Sequence, residues 1–176
     1  MKNRYNQMES GGVYAITNQC IVDPHTKIPL VKIGRSGKKD VNERIAAMNK
    51  ETPVPTNFTV EKIVNTPANR LVEKITHKYL EDKRYNNKKE FFTISPKDAV
   101  QEIDTISKHV EQNSNLIPDT YIPLTSAQKK EIEDAGYQPN EFFATPFSDA
   151  EYIPEANKCP DGLDNEKWKK VVKSLS

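Results

Sequence analysis

The sequence predicts an α+β domain: a small, mostly antiparallel three-stranded sheet flanked by helices, followed by a polar, proline-rich C-terminal extension. Two short apolar runs near the start of the chain have strand composition, and three later segments have the apolar spacing of amphipathic helices. The composition changes after Gln112, since 6 of the 12 prolines fall in the remaining residues. A chain of 176 residues suits one domain with an appendage.

The predicted strands occupy three segments. Gly11-Gly12 precede the β-branched and aromatic run 13–16, and a second apolar run covers 30–33. The polar segment between them contains two prolines, which predicts a hairpin with a long connection. Residues 58–64 alternate apolar and polar side chains, the period of a half-buried strand.

Helix signals follow these strands. Asp40 is a plausible N-cap for a helix over 41–49, and Pro67 begins a second helix over 68–83. Ser95 and Asp98 resemble a capping box, which predicts a third helix that begins at Pro96, directly after Ser95. The segment Phe91–Ile94, just before it, is a candidate for an extra short strand.

The chain divides into four predicted regions. Residues 1–10 are expected to be a disordered N-terminus, 11–112 the main domain, 113–124 a linker, and 125–176 an acidic extension or a small helical subdomain. Helices are expected in that last region over Ser126–Ala135 and Leu163–Leu175.

Charge is distributed unevenly within a formal net charge of +1. Residues 1–112 contain 19 Lys and Arg against 14 Asp and Glu, whereas residues 113–176 contain 7 against 11. A basic part with an acidic appendage is one pattern of polyanion-binding proteins, and chance unevenness of a solvated surface is the alternative.

Several classes of protein are excluded. No stretch approaches the roughly 20 apolar residues of a membrane helix, and the N-terminus lacks the apolar region of a signal peptide. Cys20 and Cys159 form no metal-binding or disulfide pattern. These features predict an intracellular protein without a membrane partner, cytoplasmic, or nuclear if the source is eukaryotic.

Five short motifs follow one another through the predicted elements: Gly12-Val13-Tyr14, Lys32-Ile33-Gly34, Arg44, Glu73 with His77, and Glu90-Phe91-Phe92. In this order the motifs resemble those of the GIY-YIG nuclease superfamily, in the phage, bacterial and fungal branch whose second motif reads KIG. The resemblance covers about Gly11 to Ile103. It implies a DNA endonuclease that hydrolyses phosphodiester bonds with Mg²⁺ or Mn²⁺.

The resemblance also implies a role for each polar motif residue. Tyr14 would be the general base, Arg44 would hold the phosphate, and Glu73 would bind the metal. Phosphodiester hydrolysis needs such groups: an activated water and positive charge on the phosphate. A free tyrosine has a pKa of about 10, so Lys32, Arg35 and Arg44 are expected to lower it. His77 could orient a water, protonate the leaving oxygen or contact phosphate.

Two departures from the family pattern affect these expectations. Lys32 stands where the wider family has a second tyrosine, so Lys32 must do something else, such as hold the phosphate. The asparagine that many members place after the glutamate helix is Asn86, Asn87 or neither.

The remaining predicted positions are of two kinds. DNA contacts are expected from the basic residues near the motifs: Arg35, Lys38, Lys39, Lys83, Arg84, Lys88 and Lys89. Structural roles are expected for Gly12, Gly34, Glu90, Phe91 and Phe92. Gly34 in particular is expected at the end of its strand, where a phosphate could approach the backbone.

Two alternatives remain open at this point. The same fold could bind DNA without cutting it, or the acidic extension could make the chain an interaction protein by contacting a protein partner or covering the domain itself. Double-strand cleavage would require a second copy, as in a homodimer.

Overall fold

The computed structural model describes residues 11–37, 40–51, 53–117, 121–123, 126–127, 130, 134, 142–144, 149–152 and 158–175. The centre of the fold is an antiparallel sheet of four strands: β1 (Gly12–Val22), β2 (Pro29–Ser36), β3 (Thr59–Asn65) and β4 (Phe91–Phe92). Their order is β3-β1-β2-β4. The predicted α+β class is therefore confirmed, and the candidate strand after residue 90 becomes a short fourth strand.

The first two strands are longer than their apolar runs. β1 continues to Val22 and β2 extends from Pro29 to Ser36, with an irregularity in their pairing between Thr17 and Val22. The pairing of these strands continues through the polar residues that flank the apolar runs 13–16 and 30–33. The expected position of Gly34 at the end of its strand is thus wrong, because β2 continues for two more residues.

Two helical layers cover the sheet. Helix α1 (Val41–Glu51) packs Val41, Ile45 and Met48 against the face that carries Tyr14. The opposite face, which carries Val13 and Val31, packs against the larger core cluster formed with α2 (Asn69–Tyr79), α3 (Pro96–Gln112) and the C-terminal helix α4 (Asn165–Leu175).

The helices that follow Asp40 and Ser95 begin where these capping residues predict. The Asn42 amide donates to Oδ1 of Asp40 at 2.8 Å, and the Asp98 amide donates to Oγ of Ser95 at 3.1 Å. Helix α2 is shorter than predicted, since it ends at Tyr79 and is followed by a 3₁₀ turn over Glu81–Lys83. The fully buried Leu80 lies at the transition between the two.

Several elements lie beyond the predicted main domain. β5 (Ser114–Ile117) pairs with β8 (Asp149–Tyr152), and β6 (Tyr121–Pro123) pairs with β7 (Phe142–Ala144). Helix α4 packs its buried Trp168 and Val171 into the main core cluster. The predicted disordered N-terminus and most of the predicted helix Ser126–Ala135 lie outside the described residues, and the division into domains stays a prediction.

One exclusion can be examined in the structure. In the part of the chain that the structure describes, no helix combines the length and apolar character needed to span a bilayer.

Candidate functional site

The predicted site residues gather around one edge of β2. β4 is only two residues long and pairs with Val31 and Lys32, so among the described residues no strand covers the β2 edge from Gly34 onward. Groups from β1, α2 and β4 reach this stretch. The short fourth strand thus leaves part of the sheet edge available to side chains.

Tyr14 lies across Gly34. The two residues are direct partners in the antiparallel ladder, and a Cβ atom added to Gly34 would lie 2.6 Å from Oη and 2.8 Å from Cζ of Tyr14. Gly34 is therefore needed because it makes room for the tyrosine ring. Gly12 has a similar constraint, since a Cβ there would lie 2.7 Å from the carbonyl oxygen of Val64.

Gly34→Ala is expected to lower the free energy of unfolding by about 1–3 kcal/mol, because a Tyr14 ring that is only 3% exposed has little space to move aside. Denaturant unfolding measures this loss. Gly37→Ala is the matched control, because a Cβ there meets nothing within 4 Å. Equal stability of Gly34→Ala and wild type would contradict the close packing of Tyr14 on Gly34.

The environment of Tyr14 raises its pKa. Burial is the largest cause, Glu90 and Glu73 add to it, and the charge and hydrogen bond of Arg44 act in the opposite direction. The hydroxyl also donates to Sδ of Met48 at 3.7 Å. The expected lowering of this pKa by Lys32 and Arg35 is wrong, because burial prevails and both cations are paired with carboxylates.

Lys32 is paired with Glu90. Its Nζ lies 2.7 Å from Oε2 of Glu90 and 5.4 Å from the ring centre of Phe91. Lys32 faces Ile16 across the ladder, so it lies diagonally from Tyr14 on the same face of the sheet. Burial raises the pKa of Glu90, but the hydrogen bond and charge of Lys32 outweigh it and leave that pKa lowered.

Arg35 is paired with Glu73. Its Nε lies 3.1 Å from Oε2 of Glu73, and its guanidinium donates a long 3.5 Å hydrogen bond to the buried Asn69. Burial nevertheless raises the pKa of Glu73, although Arg35 opposes the rise. The predicted DNA contact of Arg35 stays a prediction.

His77 binds the backbone of β2. Its Nε2 lies 2.9 Å from the carbonyl oxygen of Ile33, and its ring centre lies 5.2 Å from that of Phe92. The carbonyl can only accept, so Nε2 donates and carries the proton. Burial lowers the pKa of His77, which favours the neutral ring.

Arg44 and the basic loop occupy more exposed positions. The Arg44 side chain is 45% exposed on α1 and lies 3.9 Å from a carboxylate oxygen of Glu51. In the loop after α2, Arg84 lies over the Phe92 ring, whereas the charge of Lys83 acts on Glu102 of α3. The two neighbouring cations thus point to different parts of the surface.

The other predicted DNA contacts can be placed only in part. Lys88 and Lys89 are exposed, and backbone bonds to Asn86 fold the loop on which they lie. Lys38 and Lys39 lie outside the described residues. Sequence reasoning missed Met48 and Asn69 as neighbours of the site, because nothing in their local sequence distinguishes them from ordinary helix residues.

The carboxylates allow a test of the metal that the resemblance implies. Among the residues described, no group of three or more His, Cys, Asp or Glu side chains could hold a metal ion. Mg²⁺ binds proteins through one or two carboxylates and keeps several waters, so Glu73 alone meets this need. Its Oε2 already lies 3.1 Å from Nε of Arg35, so a metal ion would share this carboxylate with Arg35.

The fold and this cluster define a small α+β domain with a polar site built from a buried tyrosine and two cation–carboxylate pairs. The chain belongs to the T5orf172 domain family, whose model matches residues 11–111, more than half of its length. This domain is found in phage and bacterial nuclease-like proteins, which suggests a role as a nuclease or in DNA binding. Comparison with curated proteins and with solved structures found no match.

Proposed function

We propose that this chain is a GIY-YIG endonuclease that hydrolyses phosphodiester bonds in DNA with a divalent metal, Mg²⁺ or Mn²⁺. The observation that carries the proposal is the convergence at the β2 edge. Tyr14 lies over Gly34, His77 binds the carbonyl of Ile33, and Glu73 is paired with Arg35, so the Tyr14 motif and the Glu73–His77 motif both meet β2 at the three consecutive residues 33–35.

Tyr14 is the proposed general base. Its raised pKa means that the hydroxyl is protonated at neutral pH without substrate, so it must first release that proton to solvent and then, as the phenolate, accept one from the attacking water. Arg44 is the nearby cation that already lowers this pKa. A cation bound at the site would lower the pKa of Tyr14 further and favour its ionised form. Activation of the base would then depend on the bound cation.

Arg44 and Lys32 are proposed to hold the phosphate. The planar guanidinium of Arg44 suits two phosphate oxygens, and its exposure leaves it accessible to a strand. Lys32 offers a single ammonium that Glu90 fixes at the same face as Tyr14. Since both cations lie near the tyrosine, they can balance the charge that develops on the phosphate.

His77 is proposed to position the β2 edge. Its Nε2–H bond to Ile33 holds the backbone between Lys32 and Gly34, the residue on which Tyr14 rests. Of the three roles that the motif allowed, transfer of a proton to the leaving oxygen has the least support, because the ring is neutral and its proton is committed to a carbonyl.

Glu73 is the residue proposed to hold the metal. When bound there, the ion would supply positive charge next to the phosphate, which is the Lewis-acid contribution to phosphodiester hydrolysis. Glu90 is paired with Lys32, and its charge acts on the pKa of Glu73, so it lies near the proposed metal ligand.

Glu73→Gln is expected to lower nicking of supercoiled plasmid by about 10- to 100-fold at limiting Mg²⁺, with part of the rate restored at high Mg²⁺. The amide keeps the shape of the side chain but loses the negative charge that holds the cation. DNA binding measured without metal should be retained.

Glu111→Gln is the matched control, because Glu111 is an exposed carboxylate near the end of α3. It should nick like wild type. If Glu73→Gln also nicks like wild type at limiting Mg²⁺, Glu73 does not hold the metal. If wild type binds DNA but never nicks it, the chain is a binding module of the same fold.

A further inference from the structure

A cavity of about 410 Å³ lies beside the proposed active site, between α2, the loop that follows it and α4. We call it the α2 cavity. Lys74, His77 and Lys78 line it from α2, Arg84 lines it from the loop, and Ser174 lines it from α4. His77 belongs to both sites, since its Nε2 binds the carbonyl of Ile33 at the β2 edge.

The lining of the α2 cavity carries an excess of positive charge. Glu81 is its one carboxylate among the described residues, and it is paired with Lys78 at 2.6 Å. This leaves Lys74 and Arg84 without a carboxylate of the cavity to compensate them. Lys74 is exposed and forms no ion pair with any residue that the structure describes.

Two neutral groups contact the guanidinium of Arg84 and fix its position. Its guanidinium donates to the carbonyl oxygen of Lys89 at 3.2 Å and lies 5.2 Å from the ring centre of Phe92. Its charge acts on the pKa of both His77 and Glu90. The cation therefore lies at the border between the α2 cavity and the cluster around Tyr14.

The position of the α2 cavity fits a nucleic-acid strand. Glu73 and His77 are four residues apart on α2, just over one helical turn and a rise of about 6 Å, and Lys74 directly follows Glu73. Phosphates of one strand are spaced by about 3.4 Å along the axis of B-DNA. A strand cut beside Glu73 would thus bring a neighbouring phosphate to the cavity.

We propose that the α2 cavity binds a phosphodiester group of the DNA strand, one or two nucleotides from the bond that is cut, an inference that rests on the proposed function. Lys74 and Arg84 supply the charge, and the amide of Asn87 completes a polar lining. The cavity includes α4, so residues beyond the family match at 11–111 contribute to the DNA-binding surface.

The test measures fluorescence anisotropy of a labelled DNA duplex in EDTA, where binding is separated from cleavage. Lys74→Ala is expected to weaken binding by about 3- to 10-fold and to reduce the slope of log K against log[salt] by about 1. Lys108→Ala, an exposed lysine of α3, is the matched control for loss of one charge.

Ser174→Glu tests the α4 wall. It is expected to weaken DNA binding by about 10-fold, because it places a carboxylate at the cavity, whereas Ser174→Ala should bind like wild type. Inorganic pyrophosphate added as competitor distinguishes a site for a free anion. The displacement of bound DNA by pyrophosphate is compared between wild type and Lys74→Ala at equal ionic strength. If the two proteins lose the same amount of DNA, the site binds a phosphate only within a strand, as proposed.

The outcomes separate the two proposals. If wild type does not bind DNA, the cavity proposal and the proposed function both fail. If wild type binds and nicks DNA, while Lys74→Ala and Ser174→Glu match their controls in affinity and salt slope, only the cavity proposal is overturned. Thermal unfolding of each variant checks that the fold is retained.

Discussion

Tyr14→Phe is expected to lower the rate of plasmid nicking by about 10²- to 10⁴-fold, the usual contribution of a general base. The substitution removes only the hydroxyl, which approaches Gly34 and donates a 3.7 Å hydrogen bond to the thioether of Met48. Because a thioether is a weak acceptor and the Arg44 side chain is exposed enough for water to replace its bond to the hydroxyl, stability should fall by less than about 1 kcal/mol. Single-turnover nicking and denaturant unfolding measure the two effects.

Tyr79→Phe is the matched control for this loss. Its hydroxyl accepts a 2.7 Å hydrogen bond from the Asp164 amide at the junction of α2 and α4, away from the β2 edge. We expect it to lose stability, because the amide is left without that partner, and to keep its nicking rate. A Tyr14→Phe protein that nicks at the wild-type rate would remove Tyr14 from the mechanism.

Trp168→Ala is expected to lower the free energy of unfolding by about 3–5 kcal/mol, as for other large aromatic residues removed from a core. Trp168 is 1% exposed on α4, belongs to the main core cluster and packs edge-on against His109 with ring centres 5.1 Å apart. The C-terminal helix is therefore part of the folded unit, although it lies beyond the family match at 11–111.

Two controls define this stability effect. Lys170→Ala removes an exposed side chain from the same helix and should change stability by less than about 0.5 kcal/mol. Trp168→Phe should cost less than the alanine, because the buried indole Nε1 has no partner among the described residues and its removal leaves nothing unpaired. A small effect of Trp168→Ala would show that α4 is not needed for the core.

The local elements of this fold are legible in the sequence. The strand at 58–64, the apolar stripe of α1 and the Ser95 cap are each predicted from residues a few positions apart, and each element appears in the structure, although burial along β3 does not alternate. The sequence does not mark every boundary of these elements. α2 ends at Tyr79, and the buried Leu80 leads into a 3₁₀ turn. No glycine or proline lies near this end of the helix to mark it in the sequence.

The arrangement of the site depends on tertiary contacts that sequence spacing cannot give. The motifs named Tyr14, Gly34 and Glu73 in order, but the β1–β2 register that places Tyr14 on Gly34 could not be read from residue types alone. The direction of the Tyr14 pKa required knowledge of its burial. The pairing of Arg35 with Glu73 spans 38 positions, and no local pattern encodes it.

The pairing of cations and carboxylates also changes how the charge of the chain is understood. The net positive charge of residues 1–112 suggested a basic face. In the structure Lys32 and Arg35 are paired with Glu90 and Glu73, so they contribute less net charge than their count implies. Lys74 forms no ion pair with a described residue and Arg44 approaches Glu51 only at 3.9 Å, so these exposed cations are the ones proposed to contact a phosphate backbone.

Whether this chain cuts DNA is measured most directly by nicking of supercoiled plasmid by the wild-type protein. Parallel reactions would contain Mg²⁺, Mn²⁺ or EDTA, with Tyr14→Phe as the inactive reference. We expect conversion of supercoiled to nicked plasmid with either metal and none in EDTA. Wild-type protein that binds the plasmid yet leaves it supercoiled with both metals would contradict the proposed endonuclease function.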